Sequence, residues 1–188
     1  AGLPYPIFVK PANLGSSVGI TKVHSVDALM GALQVAGQYD RKIIIERGID
    51  AREIEVAVLG NDEPITSVAG EIVPSREFYD YKAKYLDDTS ELLIPAPLSD
   101  EHAEGAQDLA LKAYEALECS GMGRVDLLLE PNTAKFYVNE LNTLPGFTSI
   151  SMFPRLWEAS GISYSELIDR LITLAIKRHQ QKKSESSK

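Results

Sequence analysis

Hydrophobic positions recur along this chain with two different periods, and the changes of period mark out its elements. Short, largely apolar runs bounded by turn residues predict strands over residues 6–10, 18–23, 42–46, 53–59 and 65–73. Helical spacing takes over at Val26, Leu29, Met30 and Leu33, which predicts a helix over 26–39 with Ser25 as its cap. A second helix is predicted over 101–119, started by Ser99 or Asp100 and stopped at Gly121, with Ala106, Leu109, Ala110, Ala113 and Leu117 on one face. Alternation with period two, the mark of a half-buried strand, runs over 124–130 and 136–142, followed by a loop over 143–154 and a helical turn at 156–159. Ser163 and Glu166 then form an S-x-x-E capping box for a last helix over 164–178. Residues 74–91 show no period, and the polar end 179–188 is predicted to be disordered.

The strand pair near the C-terminal third carries the first chemical signal. Five turn-forming residues, 131–135, separate its arms, and a hairpin closed symmetrically about them puts Glu130 opposite Phe136, Asp126 opposite Glu140 and Arg124 opposite Asn142. Opposed carboxylates destabilise a sheet unless a cation lies between them. Asp, Glu and Asn with no Cys or His nearby suit a hard ion such as Mg²⁺ or Mn²⁺. A solvated face, with a register that keeps the acids apart, explains the same residues, and the spacing leaves both readings open.

Composition narrows the field. The 188 residues are 44% hydrophobic and 24% charged, ordinary values for a globular protein of one large or two small domains. The net charge of −8 without a basic stripe excludes nucleic acid as an expected partner. A polyanionic ligand must therefore be met by individually placed Lys, Arg and backbone N–H groups. The single cysteine, Cys119, cannot form an internal disulfide and reads as a packed bystander, which agrees with a reducing compartment. No signal peptide and no apolar run long enough to span a membrane occurs. The first fifty residues hold too few elements to enclose a core of their own, so the chain is expected to be a fragment of a longer protein.

Three further stretches have chemical meaning. Gly15-Ser16-Ser17-Val18-Gly19 lies between two strands, where it is either a plain hairpin turn or a loop whose backbone N–H groups and hydroxyls meet phosphate oxygens, with Lys10 nearby as a point charge. The apolar run 43–45 ends at Glu46, and Glu53 opens the next strand; the two acids are either solvated or hold an exocyclic amine and a ribose hydroxyl. Within 74–91, Phe78, Tyr79, Tyr81 and Tyr85 are too many aromatics for a plain solvated loop.

Taken in order, Lys10-Pro11, GSSVG, IIIE ending at Glu46, Glu53, YDYKAKY, GMGRVD ending at Asp126 and NELNTLPGFTSIS resemble the ATP-grasp ligases, and among them the D-alanine–D-alanine ligase family. The resemblance covers the chain up to its polar end. It implies an α+β ATP-grasp fold of antiparallel sheets with flanking helices, incomplete at the N-terminus. Its divisions are a partial central subdomain over 1–45, a C-terminal subdomain over 46–178 with a lid at 74–91, and the tail 179–188. Lys10 and Lys84 are implied on ATP phosphates under a loop of Gly15, Ser16, Ser17 and Gly19. Glu46 and the backbone of Arg47 to Ile49 are implied at adenine with Phe78 against its face, and Glu53 at the ribose. Asp126, Glu140 and Asn142 are implied as ligands of two Mg²⁺ or Mn²⁺ ions. Arg124 and the Gly146 backbone are implied at the tetrahedral intermediate, Ser151 at the second substrate's carboxylate, and Tyr85 with Ser16 in substrate choice.

The implied reaction is ATP-dependent joining of two D-alanines for peptidoglycan synthesis in the cytoplasm, by a homodimer when full length, without nucleic acid or membrane partners. The family's N-terminal domain, with a glutamate for the first amine, has no counterpart here, so the chain alone is expected to be inactive. Other carboxylate–amine ligases, such as relatives of glutathione synthetase or biotin carboxylase, are the alternative within the fold. NTLPGFTSIS followed by a short helical end argues against them.

Overall fold

The computed structural model describes residues 2–15, 17–73 and 91–185. Ser16 and all but the last residue of the stretch expected to form a lid, with Phe78, Lys84 and Tyr85, lie outside the described residues. The chain forms two compact units, Ala1–Asp50 with Pro74–Glu91, and Ala51–Val73 with Leu92–Lys188.

In the first unit, β1 (Ile7–Pro11) is the middle strand of an antiparallel sheet, with β2 (Thr21–Val23) on one side and β3 (Ile43–Arg47) on the other. The buried side chains of β1, Ile7 and Val9, meet Val23 and the helix α1 (Val26–Gly37) in a small core. The helix turns a narrow side to the sheet, burying Ala32 and Ala36 with Leu29 and Leu33 beside them. Val26 and Met30, expected on the inner face, are each 65% exposed. They lie to one side of a buried stripe centred on the two alanines, which the spacing of large residues alone does not reveal. Ser25 occupies the N-cap position without a side-chain cap bond. Asp40 closes the unit: one carboxylate oxygen accepts Asn13 N at 2.9 Å and Nδ2 at 2.7 Å, and the other accepts Lys42 N at 3.0 Å.

The second unit is a five-stranded sheet in the order β6 (Glu91–Leu93), β5 (Ile65–Val73), β4 (Arg52–Gly60), β7 (Gly121–Glu130), β8 (Lys135–Asn142). Its β4–β5, β4–β7 and β7–β8 pairs are antiparallel. One face is covered by α2 (Asp100–Ala116), whose Ala106, Ala110 and Tyr114 join Ile54, Val56, Val58, Val125, Leu127 and Leu129 in the main core. Leu117, expected on that face, is 63% exposed, because the helix ends earlier than the glycine predicted. Glu118 takes a left-handed φ of 51°, and the N–H groups of Glu118 and Cys119 return to the carbonyls of Glu115 and Tyr114.

The helix α3 (Met152–Ala159) lies over the other face. It begins at Ser151, so it is longer than the turn expected at 156–159. A bulge in β5 opposite Ala57 would strand three backbone groups, and each finds a partner. Ala57 N–H bonds Ser67 Oγ at 3.0 Å, Val68 N–H bonds Ser160 Oγ at 2.9 Å, and Gln107 Nε2 donates to the Ser67 carbonyl at 2.8 Å. The last helix, α4 (Tyr164–Glu185), continues past residue 178 into the segment expected to be disordered. Its Gln and Lys residues are good helix formers. The extension is tied down where Gln181 Nε2 reaches Asp62 at 2.9 Å. Residues 186–188 lie outside the described residues.

Candidate active site

The pairing of β7 with β8 puts Asp126 opposite Glu140 and Arg124 opposite Asn142, as the alternation predicted. The turn end differs. Glu130 faces Lys135 rather than Phe136, because the loop closes one residue tighter, over 131–134, with Ala134 at a left-handed φ of 54°. A bulge at Asn139 restores the offset before Glu140 is reached.

On its other side β7 pairs with β4, which sets Glu55 opposite Asp126 and Ala57 opposite Arg124. Glu55, Asp126 and Glu140 therefore form one row across three strands, with Arg124 and Asn142 in the adjacent row. Val125, Leu127 and Leu129 point into the core beneath α2, so the polar row faces the opposite side. There Gly70, the partner of Glu55 on β5, lies under α3. A Cβ at Gly70 would stand 2.8 Å from Leu156 Cδ2 and 3.1 Å from Met152 Sδ, so only glycine admits the helix this close.

Three carboxylates in a row call for positive charge, and the chain supplies some of it. Arg124 donates Nε to Asp126 Oδ1 at 2.7 Å and Nη2 to Oδ2 at 2.8 Å, a bidentate pair. Glu55 Oε2 lies 3.0 Å from the same Nε. The one Nε hydrogen is aligned on Asp126, so the Glu55 contact is one of charge. Burial works against the guanidinium charge. The hydrogen bond to Asp126 and the charges of Glu55, Asp126 and Glu140 outweigh it and raise the pKa further above the ordinary arginine value.

Asn142 donates Nδ2 to Asp126 Oδ2 at 3.0 Å, which leaves its amide oxygen as the acceptor end. These oxygen donors suit a hard divalent cation. Among the described residues no three His, Cys, Asp or Glu side chains stand close enough to hold a metal by themselves. The set therefore fits an ion that takes its remaining ligands from water or substrate phosphates, as Mg²⁺ commonly does.

Beyond β8, the loop leading to α3 folds on itself. Ser151 Oγ accepts Thr148 N–H at 3.1 Å and lies 2.8 Å from Thr148 Oγ1, while Ser151 N–H returns to the Thr148 carbonyl at 2.9 Å. Gly146 is held close beneath: a Cβ there would be 2.9 Å from Ser151 Oγ. Gly146 and Ser151, predicted separately, are thus neighbours at the N-terminus of α3. Phe147 packs at a tilt against Phe153 and Tyr164, and the Tyr164 hydroxyl donates to the Phe147 carbonyl at 2.9 Å, fixing the far side of the loop.

In the first unit, Lys10 Nζ meets Glu46 Oε1 at 2.6 Å, joining two residues predicted for different parts of a nucleotide. The described part of the glycine loop turns through left-handed conformations at Ser17 (φ 58°) and Gly19 (φ 75°). Arg47 ends β3, and Gly48 N–H bonds the Pro6 carbonyl at 2.8 Å, which pins the 47–49 backbone to the start of β1. In the second unit, Glu53 sits two residues before Glu55 on the same face of β4, opposite Leu128. Cys119 packs against the main core, and burial raises its thiol pKa, as befits a bystander.

A family profile described as "D-ala D-ala ligase C-terminus" matches residues 1–173. The chain belongs to the D-Ala–D-Ala ligase family. Within it, a D-alanine–D-alanine ligase from a Thermoanaerobacter species is 65% identical over 181 residues, 96% of this chain and 50% of that protein. One from Acetivibrio thermocellus is 57% identical over 175 residues, 93% of this chain and 46% of that protein. Among solved structures, the D-alanine–D-alanine ligase from Coxiella burnetii superposes with a TM-score of 0.86 at 39% identity, covering 97% of this chain and 48% of that one. The VanG D-Ala:D-Ser ligase from Enterococcus faecalis gives 0.84 at 41%, covering 92% and 50%. The chain spans about half the length of the curated relatives it matches. Its antiparallel sheets with flanking helices are the ATP-grasp fold of the D-Ala–D-Ala ligases.

Glu55 was missed by sequence reading. Its signal was present, since period two from Glu53 puts it on the same face. The identity of the neighbouring strand was not, because β7 lies some seventy residues further along. Asp40 was missed for a similar reason: its partners, Asn13 and Lys42, mark it as structural only once the sheet is formed.

Proposed function

We propose that this chain is the nucleotide- and cation-binding part of a D-alanine–D-alanine ligase, which joins two D-alanines through a D-alanyl phosphate for peptidoglycan synthesis. The observation that best supports this is the row Glu55–Asp126–Glu140 with Arg124 and Asn142 beside it. It occurs in a chain whose relatives at up to 65% identity bear that name.

In this reading the carboxylate of the first D-alanine attacks the γ-phosphorus of ATP, and ADP leaves. The amine of the second then attacks the acyl carbon, losing a proton as inorganic phosphate departs. Lys10, Ser16, Ser17, the backbone of Gly15 and Gly19, and Lys84 hold the phosphates. Glu46 and the backbone of Arg47 to Ile49 hold adenine with Phe78 on its face, and Glu53 holds the ribose. Asp126, Glu140 and Asn142 hold two Mg²⁺ or Mn²⁺ ions. When bound, the metal supplies charge neutralisation and orientation at the phosphates. Arg124 and the Gly146 N–H face the oxygen that becomes negative at the acyl carbon, a contribution of about 3 kcal/mol per donor in comparable sites. Ser151 takes the carboxylate of the second D-alanine, and Tyr85 with Ser16 favours an amine over a hydroxy acid.

The whole protein is proposed to act in the cytoplasm as a homodimer, without nucleic acid or membrane partners. No helix among the described residues is long and apolar enough to cross a membrane. A second reading follows from length. Relatives are about twice as long as the matched stretch, so the chain by itself is a Mg·ATP-binding module that does not ligate. Phosphate release from ATP with D-alanine, measured with and without the N-terminal half of the Thermoanaerobacter relative, separates the two. Release only in the mixture supports the ligase reading with an inactive chain. Release by the chain alone overturns the inactivity, and no release with no nucleotide binding overturns both readings.

A further inference from the structure

The row across β4, β7 and β8 contains one carboxylate with no role in the reading above. Glu55 is 4% exposed, covered by the α3 side of the sheet at Gly70, and its Oε2 lies 3.0 Å from Arg124 Nε. Its register partner Asp126 is doubly engaged, taking both arms of the Arg124 fork and the Asn142 amide. A carboxylate that already satisfies a buried guanidinium is a poor cation ligand unless the guanidinium has another acceptor within reach. Arg124, with a side chain 18% exposed, cannot turn to solvent for one.

We propose that Glu55 is a positioning residue that holds Arg124 by its Nε–H when a divalent cation draws on Asp126. This rests on the reading of Asp126 and Glu140 as cation ligands. Glu55 is fitted to the role by its place in the row. It stands directly opposite Asp126 with its Oε2 3.0 Å from Nε, so a small tilt of the planar fork moves the Nε hydrogen from one acceptor to the other. Glu140 is less well placed, since it enters from the far strand and acts on Arg124 only by its charge, whereas Glu55 already lies 3.0 Å from Nε. The consequence for the proposed reaction is that Arg124 stays aimed at the acyl centre whether or not the cation is bound. Partners of this outer kind are commonly as important to a metal site as its ligands.

The test uses the 188-residue chain labelled with ¹⁵N, with Mn²⁺ affinity read by electron paramagnetic resonance and the Arg124 Nε–H resonance followed during Mg²⁺ titration. In the unsubstituted chain Mn²⁺ binds, and the Arg124 resonance persists at saturating Mg²⁺. In Glu55→Gln the neutral amide is a weaker acceptor for the Nε–H, so a cation that draws on Asp126 leaves the buried guanidinium without a charged partner. Mn²⁺ affinity is then expected to fall by about tenfold or more, and the resonance to be lost as Mg²⁺ is added. Glu55→Asp keeps the charge in the same row and is expected to retain the resonance, which covers the case in which the glutamine variant does not fold. Unchanged affinity and a persistent resonance in Glu55→Gln overturn the role of Glu55 and leave the cation reading standing. Failure of the unsubstituted chain to bind Mn²⁺ overturns the cation reading, and the proposal with it.

Discussion

Arg124 closes both arms of its guanidinium on Asp126, two residues along the same face of one strand, at 2.7 and 2.8 Å. At a surface such a pair contributes little. Here the side chains of Arg124, Asp126 and Glu55 are only 18%, 14% and 6% exposed. Arg124→Ala leaves two opposed carboxylates without their shared cation, and is expected to lower the unfolding free energy by about 3–5 kcal/mol. Urea denaturation with an unchanged slope would register it. A loss below about 1 kcal/mol would mean that the row is solvated and behaves as a surface cluster.

Lys10 and Glu46 form a pair of a different kind. The glutamate side chain is 39% exposed, so solvent screens the contact even at 2.6 Å. Glu46→Gln is expected to change stability by no more than about 1 kcal/mol, and less as salt is added. If the proposed nucleotide site is real, the same substitution weakens ATP binding by calorimetry, because Glu46 is then a ligand and not a structural partner. A large stability loss with intact ATP binding would reverse that assignment.

Asp40 makes a pH prediction. The Lys42 N–H is the largest influence on its carboxyl; burial opposes it, the Asn13 donors assist it, and the pKa settles below the ordinary 3.8. A depressed folded-state pKa favours the ionised form on folding. The contribution is therefore complete above 3.8 and is lost as pH falls through the lower folded value. Asp40→Ala should melt below the unsubstituted chain at neutral pH, and the gap should narrow only as pH drops beneath 3.8. A gap that stays constant into strong acid would show that the hydrogen bonds act independently of the charge.

How far the sequence revealed this site depends on which link is considered. Period two placed Asp126 opposite Glu140 because the two departures from the expected hairpin cancel: the turn is one residue short and the bulge at Asn139 adds one back. The Glu130–Phe136 pairing failed because it lies between the turn and the bulge, where nothing compensates. Large residues dominate the helical spacing and point to Val26 and Met30, whereas it is the small size of Ala32 and Ala36 that allows close packing. The polar end of α4 reads as disordered in the sequence because its anchor, Asp62, lies 119 residues away from Gln181. What stayed hidden in each case was a non-local partner, and the same is true of Glu55.

Gly70 links the packing of the second unit to its chemistry. It pairs with Glu55 on one side and supports α3 on the other, where an added Cβ would press on Leu156 Cδ2 at 2.8 Å and Met152 Sδ at 3.1 Å. Met152 is flexible and can yield, but Leu156 is fully buried and has nowhere to move. Gly70→Ala is therefore expected to cost about 1–3 kcal/mol in urea denaturation, as overpacking does. Because α3 begins at Ser151, lifting it also disturbs the Thr148–Ser151 turn, so the Thr148 amide should lose protection from hydrogen exchange in the same variant. The pair Gly70→Ala with Leu156→Ala relieves the contact, so its cost should fall short of the sum of the two single changes. Strict additivity would show that the helix does not rest on Gly70.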